Sequence, residues 1–448
     1  MKSSYQRALD TIYSLTDYEK QSGYPYSPDR FDLGRVERLL ALVGNPQHAF
    51  QSVHIAGTKG KGSTSAMVAS ILRAAGYRTA LYTSPHLHTF RERIQVNGQL
   101  IARDDVVSGI ERLQAAVSQV PGITTFELIT ALAFAYFAEQ KVEWAVIEVG
   151  MGGRLDATNV LMPQVSVITP ISYDHTMYLG ESLAEIAAEK AGIIKPGVPV
   201  VCAPQPQEAA TVIARIAGER NAPLIAVDEE WSSRSLSVSP AGQRFMAWPK
   251  AQPARQAQYS LPLLGRHQQI NATTALAVVD QLRRMGVQIA DQDISTGLAT
   301  VQWPGRLEVL GRHPWTIVDG AHNGDSMQKL SAAIAELFPH ERMILILGTS
   351  ADKDINAMLD AILPLADRVW VTQAHHPRAA APEALLEHIA NHGRQAQVVP
   401  IDRALETALG QAGADDLILA TGSLFIVADI RMQWYKRQNQ PCPDTDDE

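Results

Sequence analysis

The sequence predicts an α/β protein, with a doubly wound, mostly parallel sheet in a larger first domain and a smaller second domain of the same class. Three observations carry this prediction. Short β-branched runs alternate with stretches of helical period from Val53 to Cys202, the alternation breaks at Trp303-Pro304-Gly305-Arg306, and a second alternating series runs from Trp315 to Ala420. Strands that alternate with helices pair in parallel through crossovers, which cover both sheet faces and leave the strands as continuous apolar runs.

In the first series, strands are expected over Val53–Ala56, Thr79–Thr83, Trp144–Val149, Val165–Thr169 and Val198–Cys202. Helices are expected from about Gly62 to Ala75 and over Val106–Val117, Phe126–Ala138 and Leu183–Ala191. The stretch from about 230 to 260, with Ser, Gln, Pro and Ala and little periodicity, reads as a β-rich excursion or a loop. After Asn271 the spacing of Ala272, Ala275, Leu276 and Val279 has helical period. In the second series, strands are expected over Trp315–Val318, Met343–Leu347, Val369–Thr372 and Leu417–Ala420, and helices near Met327–Leu337, Ile355–Leu363 and Pro382–Ala390. These readings give a P-loop-type domain over 1–302 and a smaller Rossmann-like domain over 303–440, with 441–448 expected to be a disordered tail.

Composition excludes several classes. An apolar fraction of 46% and a charged fraction of 19% are those of an ordinary globular chain. Of the net charge of -8, Asp444, Asp446, Asp447 and Glu448 lie in the last five residues, so the body is only mildly acidic and no nucleic-acid partner is expected. The two cysteines, Cys202 and Cys442, have no metal-ligand spacing and predict a reducing, cytoplasmic setting. No apolar leader follows Met1, and no run of about 18 uncharged apolar residues occurs, so neither secretion nor a membrane partner is expected.

The chemistry-bearing residues stand at the ends of predicted strands. Gly57-Thr58-Lys59-Gly60-Lys61-Gly62-Ser63 follows the first strand and opens a helix. Glycines let backbone N–H groups close on phosphate oxygens, and a lysine reaches the outer phosphates. The fit to the general P-loop pattern is imperfect, because Gly62 separates Lys61 from Ser63. Ser84, in Thr83-Ser84-Pro85-His86, is a candidate magnesium ligand at the next strand end. Glu148 ends an apolar strand, where a carboxylate needs a cation or an ion pair. His175, in Asp174-His175-Thr176, can complete a divalent site with them. By pattern alone Lys190 reads as a solvated lysine at a helix C-terminus, and Asp319-Gly320 as a common turn whose carboxylate can take a hydroxyl or ribose.

Together these segments resemble the folylpolyglutamate synthase and dihydrofolate synthase family, a branch of the Mur ligase superfamily. The resemblance runs from about Phe31 to about Asp429 on AGTKGKGS (56–63), TSPHL (83–87), RERIQVNG (91–98), TTFELITALAF (124–134), IEVGMGGRLDATN (147–159), DHT (174–176), EKAGI (189–193), GRHQQINA (265–272), PGR (304–306), DGAHN (319–323) and TGSLFIVAD (421–429). Lys59, where many bacterial members carry Asn, and Met151, in place of a common Leu, are tolerable departures.

The resemblance implies that Gly57 to Ser63, with Lys61, cradle ATP phosphates and that Ser84, Glu148 and His175 hold magnesium. It implies that Lys190 is carbamylated and binds a second magnesium, which reverses the solvated reading. Asn271, Arg306 and Asp319 are implied to contact ATP, with His322 near the transferred phosphoryl group. Thr124, Thr125, Phe126, Glu127, Leu155, Asp156 and Ala157 are implied to line a pterin or pteroate pocket. The expected activity is ATP-dependent addition of L-glutamate to folate or dihydropteroate by a monomeric enzyme. A ligase of the same superfamily acting on another acid, a P-loop kinase and a non-catalytic nucleotide-binding regulator are the alternatives. A glutamate-extended product made with release of ADP and phosphate distinguishes the first from the rest.

Overall fold

The computed structural model describes residues 2–18, 27, 30–174 and 176–446, and for 176 and 177 the backbone alone. Among these residues the strands form three sheets. The largest contains β1 (Gln51–Ala56), β2 (Thr79–Tyr82), β3 (Ile94–Val96), β4 (Gln99–Leu100), β5 (Trp144–Glu148), β6 (Val165–Ile168), β7 (Val200–Cys202) and β8 (Leu224–Ala226), in the order β4-β3-β2-β5-β1-β6-β7-β8. The pairs from β2 to β8 are parallel, and β3 and β4 add an antiparallel edge.

Side-chain alternation explains the two covered faces. Val53, Ile55, Val146 and Val167 turn to one side, against Met67 and Ile71 of helix Lys61–Ala74 and Ala275 and Val279 of helix Arg266–Arg284. Ala80, Tyr82, Ala145 and Ile147 turn to the other, against Phe134 and Phe137 of helix Thr125–Glu139 and the helices Ser4–Tyr13 and Arg103–Val117. The strand order reverses at β1, with β5 on one side and β6 on the other. In open α/β sheets this is where ligands meet the carboxyl ends of the strands.

Between the parallel units, β9 (Trp231–Ser239), β10 (Gly242–Pro249) and β11 (Ala257–Leu261) form an antiparallel sheet, so the stretch from 230 to 260 is β-rich. Along β10 the buried Phe245 and Ala247 alternate with less buried neighbours, the pattern of a half-covered sheet. The helix expected after Asn271 begins earlier, at Arg266. Its first turn, Arg266-His267-Gln268-Gln269, carries no apolar period, which hid the start.

The third sheet contains β12 (Glu308–Arg312), β13 (Trp315–Val318), β14 (Met343–Leu347), β15 (Arg368–Val371), β16 (Gln397–Val398) and β17 (Leu417–Thr421), in the order β12-β13-β17-β14-β15-β16. It is parallel except at β12. Leu345 and Leu347 pack on one face and Ile344 and Ile346 on the other.

Residues 441–446, part of the segment expected as a disordered tail, lie against the larger domain in this structure: Asp446 accepts hydrogen bonds from Tyr5 Oη (2.7 Å), Thr89 Oγ1 (2.6 Å) and Phe90 N (2.8 Å). Composition marked the segment as unable to bury apolar surface, but it is held by polar contacts instead.

Candidate active site

The carboxyl ends of the two parallel sheets face each other across a cleft of about 440 Å³. Ser84 and His86 after β2 and Gly150 and Met151 after β5 line one wall. The other wall carries His322 after β13, Ser350 and Lys353 after β14, Arg378 after β15 and Ser423 after β17.

The glycine loop lies between β1 and its helix, as expected. A Cβ at Gly57 (φ +147°) would stand 1.9 Å from Thr169 Oγ1, one at Gly60 (φ +83°) 2.3 Å from Asn271 Oδ1, and one at Gly62 2.5 Å from Trp303 Cζ2. Thr58 and Lys59 donate their backbone N–H groups to Pro170 O (3.1 and 3.0 Å), which fixes the loop against the end of β6. Among the described residues no side chain caps the helix that starts at Lys61, so its first turn keeps N–H donors for an anion. Asn271 donates to Gln268 Oε1 (3.0 Å), and Gln268 donates to Ser63 Oγ (3.2 Å), tying the loop to the long helix.

Lys61 Nζ stands 3.9 Å from Glu148 Oε1. Glu148 is 4% exposed and accepts from Ser84 N (3.3 Å). Burial raises its pKa above the ordinary carboxylate value, against the pull of Lys61, the Ser84 N–H and Arg306. Lys190 is also 4% exposed, so the solvated reading of that residue is wrong. Burial, reinforced by Lys61, lowers its pKa to about 7. Ser84 and Glu148 supply the hard oxygen donors a magnesium ion takes, whereas Lys190 suits a cation only once its amine carries a carboxylate. His175 lies outside the described residues, and among those described no group of three His, Cys, Asp or Glu side chains could hold a metal.

Asp174, which the sequence reading passed over in favour of its neighbour, joins the two walls. Its carboxylate takes Lys59 Nζ (2.9 Å) from the glycine loop and Lys353 Nζ (3.0 Å) and Asn323 Nδ2 (3.2 Å) from the smaller domain, with His322 Nε2 at 3.6 Å. His322 Nδ1 is 2.8 Å from Gly320 O, and desolvation lowers the pKa of the ring. Arg306 is half-buried; its charge is disfavoured by desolvation and supported by Asp319 and Glu148. Asp319 itself accepts from Leu307 N (2.7 Å) and Ala321 N (2.8 Å), so it braces the turn that carries Arg306. Arg378 Nε is buried without a hydrogen-bond partner among the described residues.

The residues implied to hold a pteroate all line the cleft, but several have structural duties. Thr124 and Glu127 form a capping box at the start of helix Thr125–Glu139, and Glu127 pairs with Arg35 at 2.9 Å. Thr125 Oγ1 donates to Ile12 O (3.1 Å). Asp156 accepts from Met151 N and Thr158 N, both at 3.0 Å. Phe126 is freer to meet a ligand, and its ring leaves room at position 150 only for glycine, where a Cβ would lie 2.5 Å from Cζ. Leu155 and Ala157 complete this wall.

Known proteins resemble this chain over nearly its whole length. The Mur ligase middle domain matches residues 55–279, and the Mur ligase glutamate ligase domain matches residues 305–424. The chain is 33% identical over 440 residues to the dihydrofolate synthase/folylpolyglutamate synthase of Bacillus subtilis, covering 96% of this chain and 99% of that protein. The Mycobacterium tuberculosis folylpolyglutamate synthase complexed with ADP superposes with a TM-score of 0.86 at 32% identity, covering 96% of this chain and 98% of that one. Escherichia coli FolC in complex with DHPP and ADP gives 0.83 at 29% identity, covering 98% and 99%. The chain belongs to the folylpolyglutamate synthase/dihydrofolate synthase family of the Mur ligases.

Proposed function

We propose that this chain joins the amine of L-glutamate to a carboxylate of folate, and also of dihydropteroate, using ATP and releasing ADP and phosphate. The observation that carries this reading is the meeting of two charged sheet edges: on one side the glycine loop, with Lys59 held on Asp174 and with Lys61 beside Glu148, which sits behind the cleft-lining Ser84, and on the other His322, Lys353 and Arg378 in the opposite wall.

A carboxylate does not acylate an amine at neutral pH because the leaving oxide is too basic. Transfer of the γ-phosphoryl group of ATP to that carboxylate gives an acyl phosphate and ADP, and attack by the glutamate amine then forms the amide and expels phosphate. In this reading the loop from Gly57 to Ser63 receives the phosphates. Lys61 leaves Glu148 for the γ-phosphoryl oxygens and stabilises charge that grows as the group moves. Asn271, Arg306 and Asp319 bound the nucleotide from the domain junction, and His322 faces the transferred group. Phe126, Leu155 and Ala157 offer an apolar wall to the planar pterin. Lys353 and Arg378 are the cations available to the carboxylates of the incoming glutamate.

Ser84 and Glu148, with His175, would hold magnesium, which supplies charge neutralisation at the phosphate oxygens. A lysine whose pKa is lowered to about 7 keeps a neutral, nucleophilic amine near neutrality. Its reaction with carbon dioxide forms an N–C bond and releases a proton, leaving a carbamate at Lys190 that would face a second magnesium. The same reading makes the enzyme a cytoplasmic monomer with small-molecule partners alone. The test is incubation with ATP, magnesium, L-glutamate and either reduced folate or dihydropteroate. A glutamate-extended product formed with equimolar ADP and phosphate is expected. ADP release that is independent of glutamate sinks the proposal.

A further inference from the structure

The segment after the last helix joins the two domains a second time. Helix Leu424–Arg437 belongs to the smaller domain, where Ile426, Val427 and Ile430 pack with Val318 and Ile418. A few residues further on, the chain is anchored to the larger domain. Beyond its three bonds through the side chain, Asp446 accepts through its backbone oxygen from Gln6 Nε2. Asp444 pairs with Arg91 and with Arg103 (3.2 Å), and Arg103 also donates to Thr445 O (2.9 Å). The receiving groove is built from helix Ser4–Tyr13, the turn Phe90–Arg93 and the start of helix Arg103–Val117, with Tyr5 and Thr89 buried in its floor.

The covalent connection between the domains runs through Val301 to Leu307. That connection and the few polar contacts across the junction leave the smaller domain room to swing. The seven-residue step from Arg437 to Asp444 spans at most roughly 25 Å, so a second anchor confines that swing to a narrow range. The groove also adjoins the cleft, since Thr89 to Arg91 follow directly on Ser84 and His86 in its wall. Arg431, on the helix that leads into the segment, reaches back to His88 Nε2 and pairs with Glu308 (2.9 Å), so the two domains are already in contact beside the groove.

We infer that Asp444-Thr445-Asp446 is an intramolecular strap, and that the groove of Tyr5, Thr89, Arg91 and Arg103 is a docking site for a short acidic peptide whose occupant is this chain's own segment. Docking holds the domains near the arrangement described above, and release lets them open. The inference does not depend on the reaction catalysed.

The test uses small-angle scattering of the ligand-free protein, comparing the intact chain with a full-length Asp444→Asn, Asp446→Asn variant and a chain ending at Gln440. Both altered forms should show a larger radius of gyration and a broader distance distribution, and 1 M NaCl should move the intact chain the same way. A synthetic peptide of residues 441–448 should bind the shortened chain and restore its compact profile, and a peptide with Asn at 444 and 446 should bind at least tenfold more weakly. Superimposable scattering of intact and altered chains overturns the strap. Equal binding of the two peptides overturns the docking site. Should the shortened chain fail to fold, the full-length variant decides the first point, and binding of each peptide to that variant decides the second.

Discussion

The two sheet edges that face the cleft have the same parallel architecture and opposite electrostatic habits. The larger domain's edge holds ionisable groups within protein: Glu148 and Lys190 are each 4% exposed, and burial opposes the charged form of both. The smaller domain's edge brings cations, Lys353 and Arg378, and the ring of His322 to the surface of the cleft, where Asp174 of the opposite wall receives two of the three. The first edge is preorganised at a cost in stability. The second supplies charge from across the cleft. Removing groups from the first edge should therefore hit chemistry, and removing them from the junction should hit coupling between the domains.

The largest effect is expected at Lys61. Lys61→Ala should lower kcat by ~10³-fold, in the range found when one donor to a developing charge is lost. The melting temperature should fall by only a few degrees, because the contact with Glu148 is long at 3.9 Å although both side chains are largely buried. A tenfold loss or less, measured under saturating ATP, would remove Lys61 from the phosphoryl step.

Lys190 separates catalysis from stability. Lys190→Met should abolish turnover and also raise the melting temperature by a few degrees, since a buried amine is replaced by an apolar side chain of similar length. In bicarbonate-free and metal-free buffer the sign of the pH dependence follows from the lowered pKa. Between about 7 and the ordinary 10.5 the unfolded chain binds more protons than the folded one. This group's contribution to stability therefore rises with pH through that window and is lowest below about 7. Denaturation midpoints measured from pH 7 to 9 should climb less steeply in the Met variant. Parallel slopes for the two proteins would contradict a neutral buried amine.

Asp174→Asn keeps the shape of the junction and removes its charge. A loss of ~10–100-fold in kcat/KM is expected, from the misplacement of Lys59 and Lys353 rather than from lost chemistry. Asp174→Glu should recover part of it. If the Asn variant is as active as the parent, the bridge is a resting contact without consequence for turnover.

What could be read from the sequence follows the same division. The glycine loop and Glu148 were legible because local chemistry sets them: a strand, a turn that only glycine can make, a helix start, and a carboxylate at the end of an apolar run. Lys190 was misleading because its neighbours on the helix are alanines, and burial comes from packing that the helix pattern does not encode. The partners of Asp174 were illegible for a different reason. Lys353 lies 179 residues away, and nothing in the strand–helix alternation reports an ion pair across a domain boundary. The segment 441–446 is the extreme case: its acidic, proline-bearing composition signals disorder, while Thr89, 357 residues earlier, provides a matching groove.

The smallest effect tests the weakest of the implied site residues. Thr124 lines the cleft, yet its hydroxyl accepts the Glu127 N–H at 3.3 Å while Glu127 accepts the Thr124 N–H at 2.8 Å. That reciprocal pair satisfies two helix-start donors, so a substrate would have to compete with the cap for the hydroxyl. Thr124→Ala should cost about 1 kcal/mol of stability, the usual loss for a threonine cap, and leave KM for folate within about twofold. Denaturant unfolding and initial rates on one preparation distinguish the roles: a large rise in KM at unchanged stability would return Thr124 to the substrate, whereas lost stability at constant KM assigns it to the fold.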